Sequence, residues 1–299
     1  MKPSFHLTHD LAFAAFLAGG ALGLLTSSSA LAGDPPATID VTGTVRDFRE
    51  RTEDGGHPDF EQRPMHGFAR YVDNIASDIG AEDRPVFVGG GYKIAENWRD
   101  VEHRPICRLL YDPELGDIEG TLAQQDNGGI TSSESFALWY TDELGVNLAK
   151  PLTITLALQP DGRYVFDDRL DPVYAERGGF FPIDDDLFGN SPKSDHNFHF
   201  TYELHLECEY DSTGKQFFMF IGDDDVWVFV NGKLVIDLGG VHAALDQYID
   251  MDRLGLKDGE TYRIDFFFAE RFRPQSNFRI ETNIPVRTAG LPSTTAAFD

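Results

Sequence analysis

Cysteine is scarce: Cys107 and Cys208 are the only two in 299 residues. No paired-cysteine zinc pattern exists, and at most one disulfide can form. A single bridge and two separate buried thiols both stay open, because sequence does not give their distance. Positive charge is scarce as well. Lys and Arg total 25 against 50 Asp and Glu, a formal net charge of −25. Such a surface repels nucleic acid and anionic membrane. It keeps an exported chain soluble and offers oxygen ligands to hard cations. Also missing are a Gly-x-Ser-x-Gly elbow, a His-Glu-x-x-His pair and a phosphate-binding loop. With 50 acids, any carboxylate pair taken as glycosidase machinery is uninformative. No catalytic residue is therefore assigned, and the chain reads as non-enzymatic.

Long apolar runs are confined to the start. Lys2 and His6 precede an apolar run from Leu11 to Leu25, and Ala30-Leu31-Ala32 follows. This is the pattern of a secretory signal with cleavage after Ala32. The run is shorter than the roughly 20 residues that span a bilayer. The expected organisation is a signal over 1–32, a short linker over 33–38, one domain over 39–287 and a flexible tail over 288–299. The mature chain is expected outside the cell or on its surface, or in the periplasm if retained, with no membrane insertion.

What the chain does contain is apolar mass and turns. Hydrophobic residues make up 41% and aromatics 12%, including 24 Phe, which is enough for a large core. Short runs rich in Val, Ile, Phe, Tyr and Thr are 152–158, 198–206, 216–221, 262–269 and 278–284. Phe136–Tyr140 reads as a further buried strand. Between the runs lie turn signals such as Asp54-Gly55-Gly56, Asn127-Gly128-Gly129 and Asp258-Gly259. The expected fold is all-β, an antiparallel β-sandwich or jelly-roll-like barrel with long loops. The excursions 49–85 and 167–196 are expected to be loops or small insertions.

The last third is the most explicit. Val226–Val230 and Lys233–Asp237 flank Asn231-Gly232, which predicts a hairpin with a type I′ turn. An unbroken register pairs Phe229 with Leu234, Val228 with Val235 and Trp227 with Ile236. Both faces of the first strand are apolar, so the hairpin is expected to be covered on both sides. Asp223-Asp224-Asp225 then lies at the end away from the turn, beside Leu238-Gly239-Gly240-Val241-His242. Three adjacent aspartates before a buried strand suit a Ca2+ ion, which takes six to eight oxygen ligands, or else a solvated acidic turn. A second run, Asp184-Asp185-Asp186, lacks flanking helices and reads as a solvated loop. His196 and His199 lie three apart in an expected strand, which makes them a poor metal pair.

The segment from Phe218 through Gly222-Asp223-Asp224-Asp225 and Asn231-Gly232 to Gly239-Gly240-Val241-His242 resembles the fibro-slime domain. That domain is a relative of the protective-antigen (PA-fourteen) carbohydrate-binding module. Thr44–Phe48, His57–Phe60, Asp195–Thr201 and Ser276–Ile280 match as well, so the likeness covers roughly 39–286. It implies an exported β-sandwich protein of surface, adhesin or slime function. It implies Ca2+ held by Asp223 and Asp224 across a cis peptide, with Asp225 and Asn277 as further metal candidates. Gly239, Gly240, His242, Arg271, Gln275 and Asn277 become candidate contacts to a glycan or polysaccharide. Phe272 departs from the Glu-Arg-His that relatives often carry. The alternative is a structural slime protein whose calcium only braces the fold.

Overall fold

The computed structural model describes residues 35–290. The expected signal over 1–32, the start of the linker and the end of the tail lie outside the described residues. Fourteen strands form within them. Thr38–Phe48 (β1), Tyr71–Val72 (β2), Tyr92–Glu96 (β3), Thr121–Gln125 (β4), Asn147–Leu158 (β5), Tyr164–Asp167 (β6) and Phe200–Glu209 (β7) come first. Phe217–Gly222 (β8), Asp225–Val230 (β9), Lys233–Leu238 (β10), Leu245–Asp250 (β11), Thr261–Glu270 (β12), Phe278–Thr282 (β13) and Arg287–Thr288 (β14) follow.

One large antiparallel sheet runs β10-β9-β12-β7-β1-β5-β6-β13-β8-β11, with β14 also on β7. Its ends come back together: the Asp237 N–H donates to Gln247 Oε1 at 2.6 Å, so the sheet nearly closes into a barrel. A small sheet, β2-β3-β4, arises within the long segment after β1. Bridges Tyr71 to Gly239 and Asp78 to Lys233 lay β2 and the segment after it along β10, covering an edge that would otherwise expose unpaired backbone. Among the described residues no helix is long and apolar enough to cross a membrane.

Alternation along β9 feeds two cores. Val226, Val228 and Val230 enter the barrel interior with Phe220, Phe266, Phe268 and Phe278. Trp227 and Phe229 enter a second core with Phe136, Trp139 and Phe267. Each such buried side chain contributes about 1.5–3 kcal/mol. The β9–β10 turn has Asn231 at φ 50° and Gly232 at φ 74°, as a type I′ turn requires.

Beyond the turn the register departs from expectation. Phe229 pairs with Leu234, but Val228 then pairs with Ile236 and Trp227 with Asp237. A bulge at Val235 turns both Val235 and Ile236 into the barrel core. It also brings Asp237 Oδ1 to the Trp227 indole N–H at 3.1 Å. Two other expectations are corrected. Residues 133–136 form a helical turn, not a strand, because Ser132 and Ser135 make a reciprocal capping box there. Residues 196–199 precede β7, and the two histidines meet different acids: His196 meets Asp184 at 2.7 Å and His199 meets Glu61 at 3.3 Å. Cys107 and Cys208 are separate buried thiols.

Candidate functional site

The strands flanking the aspartates decide what gathers there. β12 and β13 follow each other in sequence but are not neighbours: β12 pairs with β9 and β7, and β13 with β8 and β6. The loop 271–277 therefore crosses the open end of the barrel. Ala269 lies opposite Asp225, which puts Glu270 beside Asp224. Phe278 lies opposite Gly222, which puts Asn277 beside Asp223.

The three aspartates have distinct surroundings. Asp223 accepts from the Asn277 backbone N–H at 2.5 Å and its amide Nδ2 at 2.9 Å. Asp224 accepts from the His242 N–H at 3.1 Å and the Arg271 N–H at 3.2 Å. The peptide between them is cis, as the resemblance implies. Asp225 Oδ1 accepts from the Gly240 N–H at 2.6 Å, and Oδ2 takes Arg271 Nε at 2.5 Å. Arg271 is wholly buried, and its guanidinium also donates to the carbonyls of Asp59 at 3.2 Å and Gly128 at 2.8 Å. Glu270 is equally buried, and neither of its carboxylate oxygens makes a well-aligned hydrogen bond, although the Ser276 hydroxyl and the Phe272 N–H lie near enough to favour its charged form.

Burial dominates the electrostatics. It pushes the carboxyls of Asp224 and Glu270 well above the usual range. Repulsion from Asp223 adds to this for both, and each also faces another acid. For Asp224 the Arg271 charge works in the opposite direction. Burial also raises Asp223, against the hydrogen bonds from Asn277. The imidazole of His242 is pulled down by burial.

A cavity of about 260 Å³ opens onto Asp223 and Asp224. Phe68, Val241, Phe272 and Pro274 form its apolar walls, and His242, Arg273 and Gln275 complete it. Of the expected ligand contacts, His242 and Gln275 line this cavity. Asn277 lines a neighbouring one with Arg169 and Arg279, and its Oδ1 accepts from Arg169 at 2.8 Å. Gly239, Gly240 and Arg271 lie behind the wall. Gly240 sits at φ 97° with Tyr71 where a Cβ would go, and Arg271 is enclosed. Glu270 was not among the sequence candidates. The signal for it was the abrupt charge after Phe266-Phe267-Phe268-Ala269.

Among the described residues, the acid and histidine ligand atoms that converge within 4.8 Å are those of Glu50, Glu61 and His199. A cation already serves that cluster: Arg273 Nε meets Glu61 at 2.7 Å and its far nitrogen meets Glu50. That pairing fastens the crossing loop to the segment after β1.

Residues 182–289 match the PA14 domain. Protein psiI of Dictyostelium discoideum is 42% identical over 153 residues, which is 48% of this chain and 20% of that protein. Protein psiD of the same organism is 33% identical over 217 residues, 70% of this chain and 35% of that protein. The chain thus spans about a third or less of these relatives. A beta-glucosidase from Kluyveromyces marxianus in complex with glucose aligns over 30% of this chain and 10% of its own, with 16% identity and a TM-score of 0.22. A likeness at that level carries no argument.

Proposed function

With a PA14 domain over residues 182–289 as the premise, we propose that this chain is an exported, calcium-dependent carbohydrate-binding protein of the cell surface or matrix, without catalytic activity. The observation that carries this reading is Glu270, a fully buried carboxylate with neither a cation nor a well-aligned hydrogen bond, beside the buried Asp223 and Asp224. Asp223, Asp224, Asp225 and Glu270 set four acids against the one guanidinium of Arg271, leaving 4 − 1 = 3 carboxyls to be neutralised by protons or by a cation. An isolated buried charge is costly, and such groups pair, protonate or bind metal. A hard cation suits this all-oxygen donor set.

Asp223 and Asp224 would hold the Ca2+, and Glu270, beside Asp224 but outside the cavity lining, would face its charge. Asn277 would join them once its amide turns to aim Oδ1 at Asp223, a rotation that exchanges the two amide ends. Asp225 supports Arg271 instead, since Gly240 and Arg271 occupy its oxygens. When bound, Ca2+ supplies open positions for sugar hydroxyls. The cavity at Asp223 and Asp224, and the frequent carbohydrate binding of PA14 domains, support a glycan partner over a purely bracing ion.

The test is a calcium titration followed by melting temperature, with glycan-array binding in calcium and in chelator. The expected result is a calcium-induced rise in melting temperature and a glycan signal that chelator removes. A rise without any glycan signal leaves only the brace. No rise at all defeats the calcium reading.

A further inference from the structure

The mouth at Asp223 and Asp224 is small. Its cavity of about 260 Å³ falls below the roughly 300–1,000 Å³ of drug-sized sites, so it suits one sugar ring. A larger cavity of about 520 Å³ lies in the part of the chain before residue 182, outside the PA14 match. Gln62, Arg63, Gln125, Asn127, Gly129 and Thr131 line it. We propose that the ligand is an oligosaccharide whose terminal residue enters the aspartate mouth and whose inner residues lie in this second cavity. The proposal rests on the carbohydrate reading above and adds a site to it.

Two contacts join the cavities. Phe68 lines the mouth, and the Arg63 guanidinium, which lines the second cavity, sits 4.9 Å from the centre of its ring. Phe68 is about half exposed and packs edge-on against Phe272 at 4.9 Å, forming an apolar ridge between the two spaces. Beneath the ridge, Arg271 spans both. Its backbone N–H holds Asp224 at 3.2 Å, while its guanidinium donates to the Gly128 carbonyl at 2.8 Å and reaches the carbonyl of Gly129, a lining residue of the second cavity, at 3.5 Å.

The lining chemistry suits a polyhydroxyl chain, with the Arg63 guanidinium over Phe68 as its cationic group. Gln125 Nε2 donates to the Gly90 carbonyl at 3.2 Å, and Asn127 Oδ1 accepts the Gly90 N–H at 3.2 Å. Among the described residues the other end of each amide has no protein partner, leaving one acceptor and one donor. A sugar hydroxyl both donates and accepts, and matches that pair. Both oxygens of Asp126 are already engaged, one by the His66 N–H and ring and the other by the Gly128 N–H. The ring of Phe68 offers the apolar surface that a pyranose face needs.

The experiment is an array, read in calcium, of mono- to hexasaccharide series that share a terminal residue. Within the series that bind, affinity should rise about tenfold from mono- to trisaccharide, what one or two net hydrogen bonds supply. The double variant Gln125→Ala, Asn127→Ala should bring the trisaccharide down to the monosaccharide level. The calcium shift of its melting temperature reports that fold and metal site persist. Monosaccharides and trisaccharides binding alike in the wild type would overturn the second cavity and leave the proposed function intact. A length gain that survives the double variant would overturn its location. Absence of any calcium-dependent glycan signal would overturn both readings.

Discussion

Asp184-Asp185-Asp186 and Asp223-Asp224-Asp225 are the same tripeptide in two settings. In the first, every carboxylate finds a partner close by. Asp184 takes the Asn197 N–H at 2.9 Å and His196 at 2.7 Å. Asp185 takes the Asn190 amide at 2.9 Å, and Asp186 pairs with Lys150. Asp185 and Asp186 are exposed, and the Lys150 hydrogen bond lowers the Asp186 carboxyl. In the second run all three residues are buried, and burial drives Asp223 and Asp224 the opposite way. Three adjacent acids therefore do not define a cation site. Burial with too few positive partners is what sets the second run apart and supports the calcium proposal, and strand pairing with β12 and β13 produces that burial.

The largest expected effect separates the two runs by their own cations. Arg271→Met leaves Asp225 buried and unpaired, which should cost about 3–5 kcal/mol in denaturant unfolding. Lys150→Met removes a half-buried partner from an exposed acid and should cost under about 1 kcal/mol. Equal costs would break the contrast. Next is Asp224→Asn. A ligand at a hundredfold excess over its Kd stabilises by about 2.7 kcal/mol, and the variant should lose that calcium gain in scanning calorimetry. A calcium shift that survives Asp224→Asn would place the ion elsewhere.

A pH series sharpens the same comparison. Burial raises Asp224 and Glu270 in the folded chain, and it raises Asp47 and Asp237 to about 7. A raised carboxyl means that the folded chain holds a proton the unfolded chain has released. Stability then falls as pH rises from the unfolded value near 4 through the raised one. In chelator, the urea midpoint should be higher at about pH 5 than at about pH 8. Glu270→Gln should raise the midpoint at the higher pH and flatten the slope, while weakening the calcium response. A midpoint in chelator that climbs between the two pH values would contradict the uncompensated charge.

Much of this was legible because its signals are local. Asn231-Gly232 dictates its turn, and alternating apolar residues in Val226–Val230 announce two covered faces. The bulge at Val235 was hidden because Leu234, Val235 and Ile236 are all apolar, so no polar residue marks the slip. The run Phe136–Tyr140 suits a strand or a helical turn equally, and the serine cap before it decided the matter. The shared mouth of Asp223 and Asp224 was legible from register, and the cis bond between them through resemblance. Glu270 was not, since an acid ending a strand looks solvated until the partner strand is known. Arg271 beside an acidic mouth suggested a ligand contact, and only packing shows that it faces inward to Asp225, Asp59 and Gly128.

The smallest expected effect is the most diagnostic for the exposed run. Asp186→Asn removes a charge that solvent already screens, and its ion pair with Lys150 is partly open to water on both sides. The side-chain oxygen that caps the Leu187 N–H at 2.8 Å survives in the amide. Stability should therefore change by less than about 0.5 kcal/mol, as for other surface substitutions. The calcium-induced rise in melting temperature should match that of the wild type. If Asp186→Asn instead removed that rise, the cation would sit on the exposed aspartates. Burial would then be the wrong criterion for telling the two runs apart.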